Sequence, residues 1–276
     1  MAVLNRLGFG CVALSTLASP RAARDLLEGV FALGLRHFDT APVYGQGYSE
    51  RLVGEFLRDK RDQVSVATKF GLAPRRAPRL PVGLAMGLNA LRRRARRSSA
   101  RPSNASPGLP AAPLPAAEAG PPRRIGRAEL QATFDASRRS LGTDYLDLYL
   151  LHEHLPSSLE PDALDFLLEL RASGRVRKLG LAANGTRYLG LAPADLAEWD
   201  VLQYEFGPSW PGHADLLKLF PAKTHIFHSC LRGIAGSGQT AGQVLARCLS
   251  ANPAGSVLFS STKLAHVRDN LQMLGS

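Results

Sequence analysis

The chain has 276 residues, 45% hydrophobic and 21% charged. These values are close to globular averages and exclude a chain disordered throughout. Three cysteines, Cys11, Cys230 and Cys248, are too few for a disulfide scaffold. The net charge of +11 is confined to one place: between Arg75 and Arg127 stand twelve arginines and one acid, Glu118, and the rest of the chain is balanced.

Hydrophobic periodicity alternates between short β-like runs and helical runs. A first strand fits Arg6 to Leu14. A helix opens at Pro20 and stops at Gly34, and Leu35 to Asp39 reads as a second strand. Ser49 to Arg58 reads as a helix with Ser49 as its N-cap, and Gln63 to Lys69 as strand three. Arginine, proline and alanine then dominate to about Pro122. A helix is predicted over Arg127 to Leu141, a strand over Tyr145 to Leu151 and a helix over Pro161 to Ser173. Val176 to Ala182 is strand five, followed by a short helix at Pro193 to Glu198. Val201 to Tyr204, a helix at His213 to Phe220, Thr224 to Cys230, a helix at Gln239 to Ser250, Gly255 to Ser260 and a helix at Leu264 to Leu274 complete the series.

Eight strand–helix units in strict alternation imply a parallel sheet, and eight close a (β/α)8 TIM barrel, here a single domain over residues 1–276. An open doubly wound sheet is the structural alternative. Against it, Gly8-Phe9-Gly10-Cys11 lacks the third glycine and the following helix of a dinucleotide fingerprint. The basic insert, residues 74–123, falls in the loop after strand three, on the rim where barrels carry active sites. Leu84 to Arg97 fits a basic amphipathic helix suited to a membrane surface or an anionic partner. Arg101 to Pro122 has the composition of a flexible linker, and a mobile solvated insert is the plainer reading. Met1 to Gly10 shows no secretory leader, and the longest weakly polar stretch, Leu80 to Leu91, is 12 residues and too short to span a bilayer. A reduced, soluble, cytoplasmic protein is expected.

Chemistry is sought at the C-terminal ends of the strands. Strand two runs into Asp39-Thr40-Ala41-Pro42-Val43-Tyr44-Gly45, strand three into Thr68-Lys69 and strand four into Leu151-His152. Singly, each has a structural explanation: an ion pair for Asp39 and Lys69, loop packing for Tyr44, a core imidazole for His152. Together on one rim they form a coherent acid–base group. A lysine cation favours a phenolate and lowers a tyrosine from its ordinary value of about 10. Tyr44 then serves as a general acid, Asp39 supplies Lys69 with a counter-charge, and His152 orients a carbonyl oxygen.

These stretches resemble the aldo-keto reductase superfamily. The likeness rests on Gly34-Leu35-Arg36-His37-Phe38-Asp39-Thr40-Ala41-Pro42-Val43-Tyr44-Gly45, Ser49-Glu50-Arg51-Leu52-Val53-Gly54, Ala67-Thr68-Lys69 and Asp144-Tyr145-Leu146-Asp147-Leu148-Tyr149-Leu150-Leu151-His152. It continues in Gly174-Arg175-Val176-Arg177-Lys178-Leu179-Gly180, Gln203 and Asp269-Asn270-Leu271. The resemblance implies a barrel that binds an extended nicotinamide cofactor and interconverts an aldehyde or ketone with its alcohol. By position it makes Tyr44 the proton donor, Lys69 and Asp39 its supports, His152 the carbonyl-orienting group and Gln203 a partner of the nicotinamide carboxamide. The family's Ser-Asn after strand five is here Ala182-Ala183, with Asn184 one place later as the replacement. The nicotinamide-stacking position falls on His228, beside Ser229.

The adenosine end falls at Ser261, Thr262, Lys263 and Asn270, where a helix N-terminus with hydroxyls suits a phosphate and also reads as a plain N-cap. Lys263 favours NADP(H), with NAD(H) left open. Small-molecule carbonyls or alcohols are the expected partners, and the insert's arginines would draw anionic ones. His152-Glu153-His154 does not suggest a metal site, because alternating positions on a strand end face opposite sides. Arg92 to Arg97 lacks the interleaved aromatics of a nucleic-acid site. The alternative function is a cofactor-binding sensor with little turnover.

Overall fold

The computed structural model describes residues 3–74, 81–84, 86–88, 91, 124–207, 210–234 and 237–275. Eight parallel strands close into a barrel in sequence order, each hydrogen-bonded to the next and β8 to β1. They are β1 (Leu7–Gly10), β2 (His37–Asp39), β3 (Ser65–Phe70), β4 (Leu146–His152), β5 (Val176–Ala182), β6 (Val201–Glu205), β7 (Thr224–His228) and β8 (Ser256–Phe259). The helices around them are α1 (Pro20–Ala32), α2 (Tyr48–Leu57), α3 (Arg127–Leu141), α4 (Pro161–Ala172), α5 (Asp215–Leu219), α6 (Ala241–Ala251) and α7 (Leu264–Gly275).

The period-two alternation of the strands creates two cores. One side of each strand packs against the helices, through residues such as Phe9, Phe38, Tyr149 and Phe227. The other side fills the lumen with Ala67, Leu148, Leu150, Ala182, Val201, Ile226 and Leu258. Strands buried on both faces read as near-continuous apolar runs, which is how they appear in the sequence. Continuing the lumen side one step toward the C-terminal end of each strand reaches Lys69, His152, Gln203 and His228. Asp39 pairs in register with Ala67 and joins the same side.

Predicted α3 and β5 coincide with the observed elements. β2 and β3 begin two residues later than expected, at His37 and Ser65, and the larger differences lie at the rim. β1 ends at Gly10, and Cys11–Thr16 forms a 3-10 turn rather than more strand. That turn places Ser15 under Gly45, where any Cβ would lie 2.3 Å from the serine side chain. β7 stops at His228 because Ser229 turns to φ 56°, and β4 runs one residue further than expected before Glu153 turns to φ 55°. The helix expected at Pro193 to Glu198 is a 3-10 turn, Pro193–Leu196, and the one expected at His213 to Phe220 is α5 preceded by a 3-10 turn.

Ser49 is not the cap of α2. That helix starts at Tyr48 behind a left-handed Gly47, and Ser49 lies inside it. Its buried hydroxyl donates to the Cys11 carbonyl at 2.9 Å and accepts from Thr40 at 2.8 Å, tying α2 to the ends of β1 and β2.

Between β3 and α3, the described residues 82–84, 86–88 and 91 are helical. Met86 is buried in the core and Val82 packs against it, while Leu84, Leu88 and Leu91 are exposed. The rest of the helix expected over Leu84 to Arg97, and the linker expected over Arg101 to Pro122, lie outside the described residues.

α2 and α3 approach closely at Gly54, where a Cβ would fall 2.3 Å from the Ser140 carbonyl oxygen and 2.9 Å from Leu141 backbone atoms. Backbone cannot yield as a side chain does. Gly54→Ala is therefore expected to destabilise the fold by about 1–3 kcal/mol, read as a lower urea midpoint; an unchanged midpoint would contradict this packing.

Candidate active site

The rim layer gathers Asp39, Lys69, His152, Gln203 and His228 from five strands, with Tyr44 in the loop after β2. Register explains the convergence. Gly10 pairs with Asp39, Lys69 with Leu150, His152 with Ala182, Ala182 with Gln203, and Glu205 with His228. Tyr44 is delivered by a tight turn in which Gly45, Gln46 and Gly47 all take positive φ. Gln46 in that conformation is a local cost, of the kind found at functional sites.

Lys69 is 1% exposed and Asp39 4%. The ammonium donates to Asp39 Oδ1 at 2.6 Å and to the Thr40 carbonyl at 2.9 Å. Burial pulls the Lys69 value down, but Asp39 and Tyr44 more than offset it, and it ends above the ordinary lysine value. Lys69 therefore stays charged. Its Nζ lies 4.9 Å from the centroid of the Tyr44 ring.

Burial pushes the Tyr44 phenol up. Lys69 is the strongest influence in the other direction, through charge and a hydrogen bond, and the net position is above the ordinary tyrosine value. The expected acidifying effect of Lys69 is present, and desolvation outweighs it. His152 stands edge-on to Tyr44, with ring centroids 6.0 Å apart. Burial, then the Lys69 charge, hold the His152 imidazole far below its usual value, so it is neutral.

Gln203, 2% exposed, donates from Nε2 to Asp39 Oδ2 at 2.9 Å. His228 is half-buried at the end of β7, hydrogen-bonded to the Ser229 hydroxyl at 3.0 Å. Burial lowers its value first, and Glu205, Asp39 and Lys69 are among its electrostatic neighbours, which places it at the same rim.

Asn184 does not join this layer by any hydrogen bond. Its side-chain oxygen caps the 3-10 turn Gly185–Gly190 by accepting from Thr186 N at 2.9 Å, and its nitrogen donates to Glu205 at 3.4 Å. The end of β5 is held instead by Tyr188, whose hydroxyl accepts from Ala183 N and donates to the Gln203 carbonyl.

At the start of α7, the buried Ser261 hydroxyl accepts from Lys263 N and donates to Lys263 O, both at 3.0 Å, so it acts as a local turn former. Thr262 and Lys263 are exposed there, and Asn270 is buried further along the helix. The Lys263 ammonium and the free N–H groups of the first turn are the donors that a phosphate takes. Together with the amide of Gln203 and the ring of His228, this donor set fits an extended nicotinamide dinucleotide. Among the described residues no group of three His, Cys, Asp or Glu could hold a metal ion. No helix among them is long and apolar enough to cross a membrane.

Several site contributions were missed in the sequence. The Thr40 carbonyl and the Ser49 hydroxyl act through backbone and packing, which residue type does not signal. Glu50 sits within a quoted motif, and only the fold shows its buried carboxylate accepting from Thr68 at 2.6 Å behind β3.

The family model described as Aldo/keto reductase family matches residues 6–222. Among curated proteins, D-threo-aldose 1-dehydrogenase of a Pseudomonas species is 28% identical over 238 residues, 83% of this chain and 63% of that protein. Pyridoxal 4-dehydrogenase of Microbacterium luteolum is 27% identical over 222 residues, 70% of this chain and 56% of that protein. The chain thus spans less than two thirds of the length of either relative. An aldo-keto reductase structure from Klebsiella pneumoniae, solved in complex with NADPH, matches with a TM-score of 0.64 at 17% identity, covering 98% of this chain and 86% of that one. A Bacillus halodurans aldo-keto reductase matches with a TM-score of 0.64 at 18% identity, covering 98% and 87%. These two likenesses are likenesses of fold.

Two measurements check the geometry. Lys69→Met leaves the Asp39 carboxylate buried without its cation and is expected to cost about 3–5 kcal/mol in denaturant unfolding at neutral pH. A loss under about 1 kcal/mol, the size of an exposed pair, would contradict the burial. Because the His152 value is depressed, its ring should keep the NMR shifts of a neutral imidazole as the pH falls through about 6.5, the ordinary histidine value; titration there would contradict the site as described.

Proposed function

The chain belongs to the aldo/keto reductase family, and from that premise we propose that it is a nicotinamide-dependent oxidoreductase that interconverts a small aldehyde or ketone with its alcohol, Tyr44 being the proton donor. The observation that carries the reading is the buried Asp39–Lys69 pair set against the Tyr44 ring, with a neutral His152 edge-on to it.

A nicotinamide cofactor, when bound, is the source or acceptor of hydride. The chain's own residues manage the oxygen. A carbonyl oxygen at the rim accepts hydrogen bonds from the Tyr44 hydroxyl and from His152, which can donate because it is a neutral imidazole. As the carbon gains hydride, the oxygen becomes negative and takes the Tyr44 proton. The tyrosinate left behind faces the Lys69 ammonium, and Asp39 holds that ammonium in place. In the alcohol-to-carbonyl direction the same groups act in reverse, and Tyr44 must first be deprotonated.

Gln203, His228 and Ser229 are proposed to meet the nicotinamide end, and Ser261, Thr262, Lys263 and Asn270 the adenosine end. The exposed Lys263 ammonium favours NADP(H), since a 2′-phosphate gives it an anion to pair with. Asn184 is proposed as a carboxamide contact only if its capping bonds to Thr186 and Glu205 are exchanged for the ligand. That local commitment favours the second reading, a cofactor-binding sensor with little turnover. The names of the two relatives direct the substrate panel to aldoses and to pyridoxal.

Tyr44→Phe removes the donor and leaves the ring. It is expected to reduce turnover by about 10³-fold or more with cofactor binding, followed by fluorescence, retained. An active variant would remove Tyr44 from its role, and a wild-type protein that binds cofactor without oxidising it in the presence of any aldehyde would favour the sensor. The pH dependence follows from the raised phenol. Reduction needs the protonated form, so its rate should hold through neutrality and fall only above about pH 10. Oxidation should rise through the same range. A fall in reduction with a midpoint near pH 7 that disappears in Tyr44→Phe would contradict the raised phenol, though not the donor role.

A further inference from the structure

Asp39 is held from both sides of the lumen. Lys69 donates to Oδ1 from β3, next to Asp39's own strand, at 2.6 Å, and Gln203 donates to Oδ2 from β6 at 2.9 Å. Between β2 and β6 the barrel runs β3, β4 and β5 one way and β1, β8 and β7 the other, so the Gln203 bond spans the barrel. All three side chains are nearly inaccessible, at 4%, 1% and 2% exposure. A carboxylate only accepts, so the amide nitrogen of Gln203 is the atom that faces it, and the amide oxygen is turned away.

The other groups that act on Asp39, or on which it acts, are Cys11 after β1, His37 on its own strand, Tyr44 and His228. Burial raises the Cys11 thiol and lowers both histidines, so none of these brings a positive charge. Lys69 is the cation of the group, and Gln203 is the neutral donor that satisfies the second oxygen. A carboxylate anchored at one oxygen can turn about its terminal bond. Anchored at both, it fixes the direction in which it holds Lys69.

We propose that Gln203 is a positioning residue for the Asp39–Lys69–Tyr44 relay, clamping the Asp39 carboxylate so that Lys69 stays directed at the phenol. This rests on the proposed roles of Tyr44 and Lys69. It assigns to Gln203 a function toward the chain's own acid–base group, separate from any contact with the cofactor, for which its amide oxygen remains free.

Gln203→Glu tests the clamp, because it keeps an oxygen for a ligand amide and changes only the donor. While the introduced carboxyl holds a proton, it donates to Asp39 as the amide does. Once ionised, it sets a second carboxylate against Asp39, and the two compete for one proton. The ratio of the variant's kcat to that of wild type, each measured at saturating cofactor, is expected to fall about tenfold between pH 5.5 and pH 8. In the ligand-free protein the Tm gap between variant and wild type should widen over the same interval, since stability that depends on the shared proton is lost as pH rises. Gln203→Met, which has no donor at any pH, should show a lowered kcat throughout.

A kcat deficit or Tm gap in Gln203→Glu that is constant with pH, or a Gln203→Met variant altered only in cofactor KM, would overturn the proposal. The two readings fail separately. Activity surviving in Tyr44→Phe removes the donor role of Tyr44, and the pH-dependent Tm gap still decides whether Gln203 clamps Asp39.

Discussion

A buried ion pair at the top of the barrel lumen is the interaction around which the rim side chains are arranged. Lys69 and Asp39 meet at 2.6 Å with almost no solvent contact. Removing two charges from water is expensive, and such a pair adds little stability over an apolar replacement. Its presence therefore calls for a use beyond stability. The surroundings supply one: a phenol ring within 5 Å of the ammonium, a neutral imidazole edge-on to the phenol, and a carboxylate whose two oxygens are both engaged. Each neighbour restricts what the pair can do. The ammonium cannot lose its proton cheaply, the carboxylate cannot turn, and the phenol keeps its proton through neutrality.

The barrel makes this arrangement affordable to the fold. Five of the six rim groups are lumen-facing strand residues, four of them the last on that face of their strands, so their positions follow from the closure of the sheet. Below them the lumen is apolar, with Ala67, Leu148, Leu150, Ala182, Val201, Ile226 and Leu258. That layer keeps water away from the pair from beneath and strengthens its field. The short turn at Gly45, Gln46 and Gly47 brings in Tyr44, and Ser49, Thr40 and Cys11 brace the base of that turn.

Much of this was legible in the sequence because parallel barrel strands alternate two kinds of burial, and a clear stop such as Gly34 separates the first helix from the strand after it. The alternation located eight strands and put Asp39, Lys69 and His152 on one rim. Strand ends were less legible, because they are set by single residues with left-handed backbone, Glu153 and Ser229, whose side chains do not announce it. Ser49 shows another limit: a serine before an apolar run suits an N-cap, and its burial beneath β1 depends on contacts distant in sequence. Gln203 and Asp39 are 164 residues apart, and no local pattern joins them. Asn184 reads in the sequence as a ligand contact, and in the fold its side chain caps a 3-10 turn.

The proposed reaction places hydride on a carbonyl carbon while the chain protonates the oxygen. The most direct measurement is to supply NADPH or NADH carrying deuterium at the transferable position, with a panel of aldoses, pyridoxal and simple aldehydes, and to analyse the alcohol by mass spectrometry and NMR. One deuterium bound to the carbinol carbon, and none exchanged from solvent at that carbon, is the expected result. Bound cofactor with no deuterated alcohol from any carbonyl, or label at the carbinol carbon drawn from water, would contradict it.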